Sequence, residues 1–203
     1  VADIPGWEKA APYLFERRAS FSVKEFRDAL SPHLPLLFPR ERESLNAALS
    51  AETTAKARRS ARKMPSLAFF DLETTGLSHG AGTVAFMAGV ARFTEPGTLS
   101  VTQLLLADYP GEPEFLSRFA ALIGSGDALV SYNGKCFDAQ ILQTRYLMNG
   151  MRPAFLSPDT IHLDLLFPAR RLWKADLGSC RMSDVEAGIL GFEREDDLPG
   201  SEA

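Results

Sequence analysis

Asp71 and Glu73 stand one residue apart at the end of the apolar run Leu67-Ala68-Phe69-Phe70, with Leu72 between them and Thr74-Thr75-Gly76 behind. Side chains of a strand alternate faces, so both carboxylates leave the same face while Leu72 turns into the core. Two converging acids repel each other unless a cation sits between them, and hard oxygen donors suit Mg²⁺ or Mn²⁺. A divalent-metal site is therefore the first chemistry this spacing predicts. The plainer alternative makes Asp71 a turn cap and Glu73 a solvated edge residue. Thr74-Thr75-Gly76 and Gly80-Ala81-Gly82-Thr83 weigh against it, because they supply hydroxyls and a backbone that a ligand can approach closely.

A further acid belongs to the segment Asp127-Ala128-Leu129-Val130-Ser131-Tyr132-Asn133-Gly134-Lys135-Cys136-Phe137-Asp138. It reads as a short buried strand, an Asn-Gly turn and the start of a helix with apolar positions at Ile141, Leu142, Tyr146 and Leu147. Asp138 near a helix start is also what simple helix capping would produce. Read alone, the capping role prevails.

Together the two segments resemble the first and second motifs of the DEDD superfamily of 3′ to 5′ exonucleases, which includes the polymerase proofreading exonucleases and has a ribonuclease H-like fold. The overall likeness, from about Pro65 onward, is to YprB-type ribonuclease H-like exonuclease domains. It rests also on Gly80 to Phe86, His162 to Lys174 and Asp197-Leu198-Pro199-Gly200. The resemblance implies that Asp71, Glu73 and Asp138 bind two Mg²⁺ or Mn²⁺ ions. It further implies that Thr74, Thr75, Gly76 and Asn133 line the terminal nucleotide, with Lys135 a further substrate contact. The reaction implied is hydrolysis of phosphodiester bonds at the 3′ end of a nucleic acid, most naturally a single strand. Phe137 is expected to pack behind that nucleotide.

The family pattern also carries a fourth acid, with a His or Tyr four or five residues before it, beyond the position of Pro199-Gly200. The sequence ends at Ala203 in turn chemistry, so a truncated or proteolysed chain is expected, and this chain alone should be a poor nuclease. Asp164 and His162 are the acid and base already present. Asp164 reads first as the cap of the following helix, and His162 is a weak general-base candidate, with His79 and His33 weaker.

Composition supports one globular catalytic domain with an appendage: 45% of residues are hydrophobic, the formal net charge is −4, and no apolar run approaches the roughly twenty residues of a membrane span. Cys136 and Cys180 form neither a disulfide framework nor a zinc motif, and cytoplasm is the expected location. Charge is unevenly spread. Lys56, Arg58, Arg59, Arg62 and Lys63 form a basic run just before the carboxylate strand, and Arg170, Arg171 and Lys174 surround Trp173. Either group could meet phosphates, although a helix would spread the second over more than one side, with some arginine stems covering the core.

The supporting elements read as a helical N-terminal extension over 1–63 and a ribonuclease H-like domain over 64–203 that lacks its last helix. In the extension, Trp7, Ala10, Ala11 and Leu14 share a stripe, Ser22 could cap a short helix, and Pro39 opens another through Leu49. In the domain, strands are predicted over 66–72, 83–93, 98–107, 128–132 and 159–163. Helices are predicted over 112–123, 137–149, 164–174 and 182–190. Three adjacent strands followed by strand-helix alternation give a mixed five-stranded sheet flanked by helices. The rival function is a non-catalytic nucleic-acid-binding module with an incomplete metal site, and a third is an endonuclease or transferase with the same chemistry. If the basic run holds phosphates, replacing Arg58, Arg59 and Arg62 by Ala should flatten the salt dependence of single-strand binding by about 0.7 per lost contact in a filter-binding titration. An unchanged slope would make the run a solvated linker.

Overall fold

A computed structural model describes residues 4–23, 34–50, 66–76, 82–95, 97–124 and 126–194. The basic run at 56–63, His33, His79, Gly80, Ala81 and the segment from 197 to 200 lie outside these residues. Among the described residues seven strands form one mixed sheet: β1 (Trp7–Ala11), β2 (Leu14–Ser22), β3 (Leu67–Thr74), β4 (Ala85–Glu95), β5 (Thr98–Leu106), β6 (Ala128–Ser131) and β7 (His162–Asp164). Their order across the sheet is β1-β2-β5-β4-β3-β6-β7. β3 is the hinge of the topology: it runs antiparallel to β4 and parallel to β6, which in turn runs parallel to β7.

The helices are α1 (Leu34–Leu37), α2 (Arg42–Ser50), α3 (Glu112–Leu122), α4 (Asp138–Met148), α5 (Leu166–Leu177) and α6 (Met182–Val185), the last continued by a π-helical turn over Glu186–Leu190. They cover both faces. On one, Ala68, Phe70 and Leu72 pack with Phe115, Phe119, Leu142 and Tyr146 of α3 and α4. On the other, Leu67 and Phe69 pack with Phe38 and Leu45 beside α1 and in α2. A third cluster joins Leu166 and Ala169 of α5 to Cys180 and Val185. The alternation expected for β3 is present, with Leu72 buried and Asp71 and Glu73 exposed.

The elements predicted from Pro65 onward all exist, with ends displaced by at most three residues, the last helix being completed by the π-helical turn. Two expectations fail. Leu147, expected on the apolar face of α4, is 65% exposed. More consequentially, residues 7–22 form a β-hairpin, so the sheet has seven strands where five were expected. Trp7, Ala10, Ala11 and Leu14 therefore share no helical stripe, and Ser22 ends a strand. Pro12 sits in the hairpin turn, where a helix interior would have been broken. The apolar residues of β2 then find a partner that local propensity does not reveal, because Leu14 to Ser22 pair residue by residue with Leu106 to Thr98.

Ion pairs tie α3 to its neighbours. Glu16 of β2 accepts from Arg118 at 2.7 and 3.0 Å and from Arg18 at 2.5 Å. At the start of α3, Glu112 takes both the Nε and Nη2 of Arg145 at 2.5 Å and the Asn149 amide at 3.1 Å. Burial alone would raise the Glu112 carboxyl, but the Arg145 and Asn149 hydrogen bonds and the Arg145 charge together hold it below its usual value. Glu112→Ala would strand the buried Arg145 charge, so it should lower the unfolding free energy by about 3 kcal/mol in a urea titration.

Candidate active site

The carboxyl ends of the parallel strands β3, β6 and β7 lie side by side. Phe69 pairs with Val130, and Ser131 pairs with Asp164. Chain continuation therefore brings Asp71 and Glu73, the Tyr132-Asn133 turn and Asp164 to one end of the sheet. The chain passes from β3 through β4 and β5 and then returns to the opposite side of β3 as β6. Ligands of open α/β sheets bind at such a switch point, outside the carboxyl ends of the strands. A register shift between Glu73 and Thr74 skips Phe86 of β4 there, and pairing resumes at Thr74 with Ala85. Bulges of this kind re-aim side chains beside functional sites.

Asp138 opens α4 and is only 5% exposed. Its carboxyl is pushed up to about 7, first by burial and then by the negative charges of Asp71, Asp164 and Glu73. Asp71 is also raised, although it opens to solvent, because protein crowds one side of it; a Leu72 backbone hydrogen bond and the Arg194 charge work in the other direction. Asp71, Glu73 and Asp138 thus lie within mutual electrostatic reach. Among the described residues, however, no three His, Cys, Asp or Glu side chains are already gathered as a ready cage for an ion. The donors are all carboxylates, which fits a hard divalent cation.

Asp164 plays a different part. It is 1% exposed and accepts from the backbone N–H groups of Asn133 at 2.7 Å, Lys135 at 3.1 Å and Leu166 at 3.0 Å. The contact with Leu166 is the expected helix cap; the grip on Asn133 and Lys135 has no sequence signature. It steadies a turn in which Asn133 adopts a φ of 65°. Asn tolerates this left-handed conformation better than most residues. Gly134 must follow, because a Cβ there would lie 2.7 Å from the Ser131 side chain and 2.8 Å from Asp138 Oδ2.

His162 is buried, 2.8 Å from Ser131 Oγ through Nε2, and its ring is held down to about 4, first by burial and then by the Lys135 charge. It is neutral at physiological pH and committed to the sheet interior. The Lys135 ammonium donates to Glu41 at 2.5 Å and to the His162 carbonyl at 3.2 Å. Thr74 Oγ1 donates to the Gly76 carbonyl at 2.9 Å, and Thr75 Oγ1 accepts from Val84 N–H at 3.1 Å, so both hydroxyls shape the exit loop. Phe137 immediately precedes α4 and is half-buried.

Arg170 and Arg171 diverge on α5, as the helical spacing requires. Arg171 donates to the Leu36 carbonyl at 2.8 Å, whereas Arg170 lines a cleft beside Tyr132 and Asn133. Sequence reasoning did not anticipate Glu41 as the partner of Lys135, Arg194 as a charge acting on Asp71, or the cleft. Each depends on contacts distant in sequence.

This geometry is matched by kinship. Residues 68–203 match the RNase H superfamily, and the chain belongs to it. It is 40% identical over 134 residues, 66% of its length, to the uncharacterized protein YprB of Bacillus subtilis (strain 168). That match covers 32% of YprB, so the chain spans about a third of this relative. Among solved structures, a product-bound exonuclease I shares the fold with a TM-score of 0.51 and 18% identity, over 66% of this chain and 40% of that one. A further exonuclease I structure matches at a TM-score of 0.49 and 18% identity, over 64% and 36%.

The raised Asp138 carboxyl has a measurable consequence. A carboxyl whose folded value exceeds its ordinary 3.8 contributes most stability at low pH and loses that contribution as pH rises toward about 7. In EDTA at pH 8, Asp138→Asn should therefore raise the unfolding free energy, by on the order of 2 kcal/mol. At pH 4 the two proteins should be nearly equal in urea titrations. Adding Mn²⁺ should stabilise the wild type and not the variant.

Proposed function

We propose that this domain is a metal-dependent 3′ to 5′ exonuclease that hydrolyses phosphodiester bonds of single-stranded nucleic acid in the cytoplasm. What supports this reading is the placement of Asp71, Glu73 and Asp138 near the switch point of an RNase H superfamily sheet, with Asp138 raised first by burial and then by the charges of Asp71, Asp164 and Glu73. Asp71, Glu73 and Asp138 would hold the ions. Bound there, Mg²⁺ or Mn²⁺ supplies an activated water and stabilisation of the attacking and leaving oxygens.

The chain's own residues do the positioning. Asn133 projects from a turn fixed by Asp164 and can contact the terminal nucleotide, while the Thr74-Thr75-Gly76 loop borders the same end of the sheet. Lys135 is engaged by Glu41 and supports the site from behind in this reading. His162 is buried against Ser131 and its lowered pKa of about 4 makes it a weak base, which leaves proton removal to a group other than this histidine. The exonuclease I neighbours support the choice of fold, and the carboxylate set supports the chemistry.

A second reading, a nucleic-acid-binding module without cleavage, draws on the absence of a ready three-ligand cage among the described residues. The protein itself, assayed on end-labelled strands, separates the two. With Mn²⁺ it should release mononucleotides from a 3′-labelled single strand before any 5′ label, and Asp71→Asn should reduce that release at least about 100-fold, the scale of losing a group that stabilises the transition state. Binding with no Mn²⁺-dependent release would favour the module.

A further inference from the structure

Between the Tyr132-Asn133 turn and the α5-α6 segment lies a cleft of about 450 Å³. Arg170, Lys174 and Arg181 line it, and no acid is among the described residues that do. Its walls are fixed: the Tyr132 hydroxyl donates to the Cys180 carbonyl at 2.8 Å, and Lys174 donates to the Gly178 carbonyl. Two acids beside it are already engaged: Asp184 by the Ser179 hydroxyl at 2.5 Å and the Arg181 backbone N–H at 3.2 Å, and Asp164 by the backbone N–H groups of Asn133, Lys135 and Leu166. Arg170 and Arg181 both line the cleft and are exposed, and the charge of Arg170 acts on the Tyr132 phenol.

The cleft and the carboxylates share one turn. Tyr132 and Asn133 face the cleft, while the next residue, Gly134, sits so close to Asp138 that a Cβ would come within 2.8 Å of its carboxylate. On the far side, Met182 lines the cleft and its sulfur is 3.2 Å from Arg194 Nη2, whose charge acts on Asp71. A polyanion that reached the acids through this opening would meet cations first. Guanidinium groups suit phosphate because they donate in a planar fork.

We propose that this cleft binds a backbone phosphate of the nucleic-acid strand whose end lies at Asp71, Glu73 and Asp138, with Arg170 and Arg181 as the phosphate contacts. This rests on the exonuclease reading for the identity of the strand, and the phosphate site is a separate claim. A phosphate here would offset part of the positive charge of Arg170, Lys174 and Arg181 and keep the strand from sliding past the acids, which by themselves repel it. It would recognise the backbone without reading bases.

The test is an anisotropy titration of fluorescein-labelled oligothymidylate in EDTA, where the strand is not cleaved, over a range of salt concentrations. Arg170→Ala and Arg181→Ala should each weaken binding about three- to tenfold and lower the slope of log affinity against log salt by about 0.7. Both should retain the wild-type melting temperature and Mn²⁺ affinity. Unchanged affinity and slope in both variants would overturn the phosphate site, while Asp71→Asn still abolishing cleavage would leave the exonuclease reading intact. Conversely, lowered slopes in a protein that never cleaves would support the cleft and remove the exonuclease. Thymidine monophosphate displacing the strand at equal phosphate concentration would overturn the assignment to a strand.

Discussion

A single buried carboxylate organises this end of the molecule. Asp164, at the last position of the last strand, gathers three backbone N–H groups from two separate segments, the turn after β6 and the start of α5. An unpaired carboxylate in that place would be prohibitively costly, and three donors make it tolerable. The geometry of the donors then becomes the geometry of the site. Asn133 is held in its left-handed turn, Gly134 is pressed toward Asp138, and α5 begins where Arg170 can face Tyr132. A residue that contacts no candidate substrate atom thereby sets the relation between the acids and the basic cleft.

The acids illustrate the opposite bargain. Over its first half β3 is covered on both faces, by α3 and α4 on one side and by Phe38 and Leu45 on the other. The cover ends at Phe69, and the same face then carries Asp71 and Glu73. Hydrophobic burial of one half of the strand thus fixes the position of charges on the other half, charges that would not assemble unaided. The cost shows in the raised carboxyls, Asp71 through burial and Asp138 first through burial and then through the charges of Asp71, Asp164 and Glu73. Local instability of this kind is common where a site is shaped for a ligand instead of for the empty fold.

What could be read in advance follows the range of the interactions involved. The elements from Pro65 onward were legible because each combines an apolar period with its own stop signals: Asn133-Gly134 after β6, and Pro110 with Gly111 ahead of α3. The phase of Asp71 and Glu73 was legible for the same reason. Residues 7–22 were not, because a stripe through Trp7, Ala10 and Leu14 fits a helix locally and the deciding partner, β5, lies about eighty residues on. Pro12 was the available warning. Asp164 was read as a helix cap, which its bond to Leu166 bears out, but its hold on the turn at Asn133 needs strand pairing that no local pattern encodes. The separation of Arg170 from Arg171 was legible from helical geometry; which one faces the cleft was not.

The N-terminal hairpin also changes how this sheet meets its surroundings. Without it, β5 would present nine residues ending Gln103-Leu104-Leu105-Leu106 as an unpaired border, long and apolar enough to template another chain. β2 occupies that border over its full length, and β1 becomes the outer rim. The rim is only five residues long and carries Glu8 and Lys9, both exposed. At the other margin β7 has just three residues. Both margins are therefore poor sites for strand addition, and the hairpin serves the solubility of the domain by guarding a border well away from its acids.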